Sequence, residues 1–167
     1  EHMPGMVVHE APLLSDIPAY AEAHAVQLAG VITDLGSEAG DRSLLVFSAH
    51  SLPVEDLQAP HDPYVGGLRE VSNTLATRIG LDPGAVGEIL PGIETFGTPE
   101  GERPWLIAYQ SKGQRGGKWL GPAIEDVIDT AAAQGFTSII VCPIGFATEH
   151  METKYDLDTV AAERAID

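Results

Sequence analysis

The sequence holds a single cysteine, Cys142. One thiol excludes an internal disulfide, and it excludes an iron–sulfur cluster held by cysteines of this chain alone. Cys142 lies inside an apolar run, where a packed core thiol is expected rather than a nucleophile. Cations are also scarce: 9 Lys and Arg stand against 25 Asp and Glu, a formal charge of -16. Nucleic acid and anionic bilayers both require clustered Lys and Arg. Neither is expected as a partner, beyond peripheral membrane contact at most. No apolar run is long enough for a transmembrane helix. The first residues lack the basic and apolar regions of a signal peptide, so a cytoplasmic location is expected. Fixed-period repeats, coiled-coil heptads and low-complexity tracts are absent too.

What is present is a set of apolar runs alternating with helical patterns. Met6-Val7-Val8, Ser43 to Ala49, Trp105 to Tyr109 and Ser138 to Cys142 read as strands. Helical spacing covers Ile17 to Leu35, Tyr64 to Ile79 and Trp119 to Ala133, with Gly36, Gly80 and Gly135 as stops. A last helix is expected from about Thr148 onward. Such alternation implies right-handed βαβ units, hence an α/β fold: a three-layer α/β/α domain with a parallel sheet of about four strands. At 167 residues the chain reads as one domain. The stretch Asp82 to Pro104 is rich in Gly, Pro and Glu and breaks the rhythm, so it reads as an exposed insertion.

Two strand ends carry chemistry. The run Leu44-Leu45-Val46-Phe47-Ser48-Ala49 stops being apolar at His50, followed by Ser51-Leu52-Pro53. That puts an imidazole at the carboxyl end of a strand, where open α/β sheets hold ligands. Neutral imidazole is both a metal ligand and a base suited to neutral pH. After the strand ending at Cys142 comes Glu149-His150-Met151-Glu152. Glu149, Glu152, Asp156 and Glu163 recur at helical spacing, which reads either as a solvated acidic face or as a path for cations. On a regular helix His150 and Glu152 face different ways; they meet one ligand only if the helix begins at or after His150.

The third strand ends in Tyr109-Gln110-Ser111-Lys112-Gly113, and Gly116-Gly117-Lys118-Trp119 follows. This is no phosphate loop, because Lys112 stands where a Gly is needed and Trp119 replaces the Ser or Thr. No G-x-S-x-G elbow occurs, which argues against an esterase. Gln110 and Ser111 read as polar rim contacts. Trp119 reads as a core anchor in preference to an aromatic wall for a flat ligand.

Taken in order, Phe47-Ser48-Ala49-His50-Ser51-Leu52-Pro53, Asp62-Pro63-Tyr64, Tyr109-Gln110-Ser111-Lys112 with Trp119-Leu120-Gly121-Pro122, and Pro143-Ile144-Gly145-Phe146 leading to His150-Met151-Glu152 and Tyr155-Asp156 resemble the C-terminal half of ferrochelatases. The resemblance runs from about Met6 to the end. It implies a chelatase-like half-domain and insertion of ferrous iron into a porphyrin, protoporphyrin IX or coproporphyrin III, in haem biosynthesis. It implies His50 facing the pyrrole nitrogens, Glu152 across the cleft, and Asp156 one turn along a metal or proton path. His50, Glu152 and Asp156 are then the metal-handling set, with Ser48, Ser51, Tyr64, Gln110, Ser111 and Trp119 toward the porphyrin. Iron is substrate, and no covalently bound cofactor is expected. The family's N-terminal half has no counterpart here, and Val160 stands where some members carry a further acid. The expected partner is therefore an N-terminal half-domain or a second copy of the chain. Two other readings remain: a small homodimeric tetrapyrrole chelatase, and a non-catalytic metal- or porphyrin-binding module.

Overall fold

Apolar residues dictate the layering. A computed structural model describes residues 7, 9, 11–35, 42–58, 60–97 and 103–166. In it, helix α1 spans Pro18–Leu35, strand β1 Ser43–His50, helix α2 Pro63–Arg78, strands β2 and β3 Ala85–Leu90 and Ile93–Phe96, strand β4 Trp105–Gln110, helix α3 Ile124–Ala133 and strand β5 Ser138–Cys142. A π-helical segment, Thr153–Ala161, runs on into helix α4, Ala162–Ile166. The sheet order is β2-β3-β4-β1-β5. β1 is central and parallel to both β4 and β5, in the register His50 to Gln110 and Phe47 to Cys142.

Because β1 is covered on both faces, it is apolar at nearly every position rather than alternating. Leu45, Phe47 and Ala49 pack toward α1 and α2, with Trp105 and Leu75 among their neighbours. Leu44 and Val46 point the other way, into a core with Leu106, Ala108, Ile124, Val127 and Ala161. This is the expected α/β/α sandwich, with a switch in it. The connection after β1 crosses on one face through α2; those after β4 and β5 use the other face. The crevice between the carboxyl ends of β1 and β4 is therefore a topological switch point, the place where such sheets bind ligands. His50 and Gln110 are the residues that end there.

Helix α2 starts where it does because Asp62 caps it: its carboxylate accepts from the backbone N–H of Tyr64 at 2.9 Å and Val65 at 3.4 Å, and Pro63 follows at the first turn. The same carboxylate accepts from Gln58 N–H at 2.8 Å. These bonds, the one from Gln58 foremost, hold the Asp62 carboxyl below its ordinary 3.8. A carboxyl lowered on folding stabilises above its unfolded value, and that contribution fades as pH falls through the folded value. Asp62→Ala is expected to lower the thermal midpoint at pH 7, with the gap to wild type closing in acid below pH 3.8. Thermal melts across pH check this; a gap that persists unchanged at low pH would remove Asp62 from the cap.

The structure differs from expectation in several places. Met6 and Val8 of the proposed first strand, and the stop at Gly36, lie outside the described residues; Val7 is outside any strand and 73% exposed. The stretch 82–104 was expected as an exposed insertion, but it contributes the β2–β3 hairpin. β3 pairs antiparallel with both β2 and β4, and Leu90, Ile93, Thr95 and Phe96 are buried. The sheet thus has five strands and is mixed. Helix α3 begins at Ile124, not Trp119, because residues 118–120 pair with 52–54 instead: Val54 N–H donates to Lys118 O at 2.8 Å and Leu120 N–H to Leu52 O at 2.9 Å. Trp119 is accordingly half-buried beside the strand end, and Trp105 fills the core.

Candidate functional site

His50 leaves β1 at the rim with its side chain about one-third exposed. Its ring is held on one side by Nδ1–H donating to its neighbour's carbonyl, Ser51 O, at 2.5 Å. A carbonyl only accepts, so this bond places a proton on Nδ1, and in the neutral ring the lone pair is on Nε2. Backbone anchors fix the rest of the turn. The Tyr64 hydroxyl donates to His50 O at 2.8 Å, Ser51 N–H donates to Gln110 O at 2.7 Å, and the Ser51 hydroxyl donates to Leu120 O at 2.9 Å. Burial pushes the Tyr64 phenol up to about 12, so it remains a donor at any working pH.

Facing Nε2 is the carboxylate of Glu152, 3.6 Å away. A lone pair and a carboxylate are both acceptors, so this pair is satisfied only when something positive sits between them: a proton, or a cation. Two ligand atoms, each about 2.1 Å from a metal ion, can stand at this separation. His150 turns toward the same oxygen at 3.7 Å, and the backbone N–H of Glu152 donates to its Nδ1 at 3.3 Å. The helix begins just after His150, which is the condition under which the two residues meet one ligand. Phe146 stacks on the His150 ring at 5.5 Å. Thr153 closes the turn, its hydroxyl donating to His150 O at 2.8 Å and accepting from His150 N–H at 3.1 Å. Phe146 belongs to the Pro143-Ile144-Gly145-Phe146 motif, whereas the only sequence signal for Thr153 is its spacing from His150, which suits a side-chain cap.

Of the four acids, only Glu152 and Asp156 reach the rim. Across Thr153–Ala161 the helix is wound wider than an α-helix, so positions spaced for 3.6 residues per turn drift apart. Glu152 faces His50, Asp156 accepts a hydrogen bond from the Ser111 hydroxyl, and Glu149 turns away to Lys154 Nζ at 3.1 Å. Glu163 lies exposed on α4. Among the described residues no three His, Cys, Asp or Glu side chains converge as a metal cage.

Ser111 reaches Asp156 because its backbone is left-handed, φ 60. A non-glycine residue there is strained, typically by about 1 kcal/mol or more, and such strain concentrates at functional sites. Ser111→Gly and Ser111→Ala both lose the bond to Asp156, but only the glycine relieves the backbone. Urea denaturation is expected to show the glycine variant more stable than the alanine variant by about 1 kcal/mol. Equal stabilities would mean that the backbone is not strained there.

Gln110, expected at the rim, is buried at 1% exposure, and Ser48 at 0%. Ser51 is buried and engaged as described. Trp119 Nε1–H donates to Arg115 O at 3.0 Å, and its ring packs so close to Gly113 that a Cβ there would stand 2.8 Å from it. Cys142 is buried in β5, its thiol pushed up to about 12 by desolvation, which makes it unreactive. No helix among the described residues is long and apolar enough to cross a membrane.

A family model described as ferrochelatase matches residues 6–167. The chain is 29% identical over 138 residues to a protein named ferrochelatase from Acidobacterium capsulatum, covering 83% of this chain and 40% of that one. It is 34% identical over 119 residues to a coproporphyrin III ferrochelatase of Halalkalibacterium halodurans, covering 71% and 31%. A coproporphyrin III ferrochelatase of Frankia alni is 31% identical over 157 residues, covering 92% and 36%. The chain thus spans well under half the length of these relatives.

Proposed function

The chain belongs to the ferrochelatase family, and on that basis we propose that it forms one wall of a site that inserts ferrous iron into a porphyrin. The observation that carries this reading is the facing of His50 Nε2 and Glu152 at 3.6 Å, at the sheet's switch point. Metallation replaces two pyrrole N–H protons by one divalent ion: porphyrin plus Fe2+ gives iron porphyrin plus two protons. The protons need a base at the ring, and His50 presents a lone pair there because Ser51 O holds the proton on the far nitrogen. Glu152 then stabilises the imidazolium, or holds the ion before it enters the ring. Asp156, held by Ser111, supplies the next carboxylate along the helix.

The opposite wall, covering the other face of the ring, comes from an N-terminal half-domain or from a second copy of the chain. Relatives named for coproporphyrin III make that porphyrin the first substrate to test; protoporphyrin IX is the comparison, and haem biosynthesis is the setting either product implies. The experiment is anaerobic incubation of the full-length protein carrying this chain with Fe2+ and each porphyrin, following loss of metal-free porphyrin fluorescence. Quenching that requires both iron and protein supports the reading. Porphyrin binding without metal insertion would make this a binding module instead.

A further inference from the structure

Three buried polar atoms have no hydrogen-bond partner at the base of this site: Ser48 Oγ, and both Oε1 and Nε2 of Gln110. Their placement follows from the register. Ser48 and His50 lie two apart on β1 and so share a face, and Gln110 is the register partner of His50 on β4. Parallel register partners point the same way, on strands about 4.8 Å apart. Below them on that face is the apolar core of Leu44, Val46, Leu106 and Ala108. Above them are the His50–Glu152 pair and the Ser111–Asp156 bond. The orphaned atoms therefore occupy the layer between dry core and reactive rim.

Buried polar groups without partners are rare, and an apolar side chain of the same size would pack here at less cost. A porphyrin cannot reach Gln110 at 1% exposure, so the missing partner is small. A hydroxyl and a carboxamide together offer donors and acceptors of both kinds, the two to four contacts that one internal water needs.

We infer that Ser48 and Gln110 hold an internal water against the inner side of the His50 ring, and that Gln110 is a positioning residue acting on the site through it. The water completes the polar layer and supports the imidazole by packing beneath it, since both ring nitrogens are already turned to Ser51 O and Glu152. This rests on the proposed metal-insertion reading for its kinetic consequence, but not for the water itself.

Two measurements test it. A crystal structure of the chain at a resolution that shows ordered solvent is expected to contain a water bridging Ser48 Oγ and the Gln110 amide. Gln110→Met, which keeps the volume and removes the polar atoms, is expected to leave the thermal midpoint unchanged or raised. It should lower kcat about tenfold, because the ring above loses its support, with KM for the porphyrin unchanged. Ser48→Ala, a smaller change, should move kcat the same way and serves if the methionine variant misfolds. A dry site with the amide bonded to protein groups, or wild-type kcat in both variants, would overturn the inference. Absence of metal insertion by the wild-type protein would instead sink the functional reading, leaving the crystallographic result to decide the water.

Discussion

His50→Ala in the full-length protein is expected to cut iron insertion by about a thousandfold, the scale of a lost general base. Folding should hardly change. The side chain is about one-third exposed and its one hydrogen bond is to the adjacent carbonyl. Loss of such a rim group shifts stability by no more than about 1 kcal/mol. The backbone anchors that shape this turn, from Tyr64, Ser51 and Gln110, use main-chain atoms of residues 50 and 51 and the Ser51 side chain, so they survive the substitution. Metallation rate and thermal midpoint, measured together, separate the two effects. A variant that turns over normally would return His50 to a structural role; one that loses both activity and fold would leave the imidazole a packing residue.

The second large effect concerns the chain by itself. A porphyrin is broad, flat and apolar, and a productive pocket must cover most of its surface. If this chain presents one wall, as proposed, the isolated protein should insert iron at least about a hundredfold more slowly than a protein that has both walls, through loss of the positioning that enclosure gives. If an N-terminal half-domain supplies the other wall, adding it is expected to restore the rate. If two copies supply both walls instead, activity should rise with the square of concentration as dimers form. Iron insertion across a concentration series, beside the oligomeric state from sedimentation, discriminates. Full activity from a strict monomer would contradict the one-wall account.

Much of the frame was legible because burial on both faces leaves a plain mark. The unbroken apolar runs at 43–49, 105–109 and 138–142 became β1, β4 and β5, and the loss of apolar character at His50 located the rim. Composition alone hides the hairpin, because the stretch is rich in Gly and Pro. Pro91-Gly92, with Gly92 at φ 74, is itself a turn signal between two short strands. The wide winding of Thr153–Ala161 has no counterpart in a periodicity argument that assumes 3.6 residues per turn: Glu152 and Asp156 reach the rim, while Glu149 turns to Lys154 and Glu163 lies exposed. Gln110 was read as a rim group from its position at a strand end. Its burial is set by the groups packed around the strand end, which is tertiary information.

The central claim is that His50 and Glu152 act as one unit across their 3.6 Å gap. A double-mutant cycle on iron insertion by the full-length protein tests it most directly, using His50→Ala, Glu152→Gln and the double variant. Groups that act together are non-additive, so the double variant should be little slower than His50→Ala alone. If instead the two losses multiply, His50 and Glu152 work independently and the clamp is not the site of metal insertion.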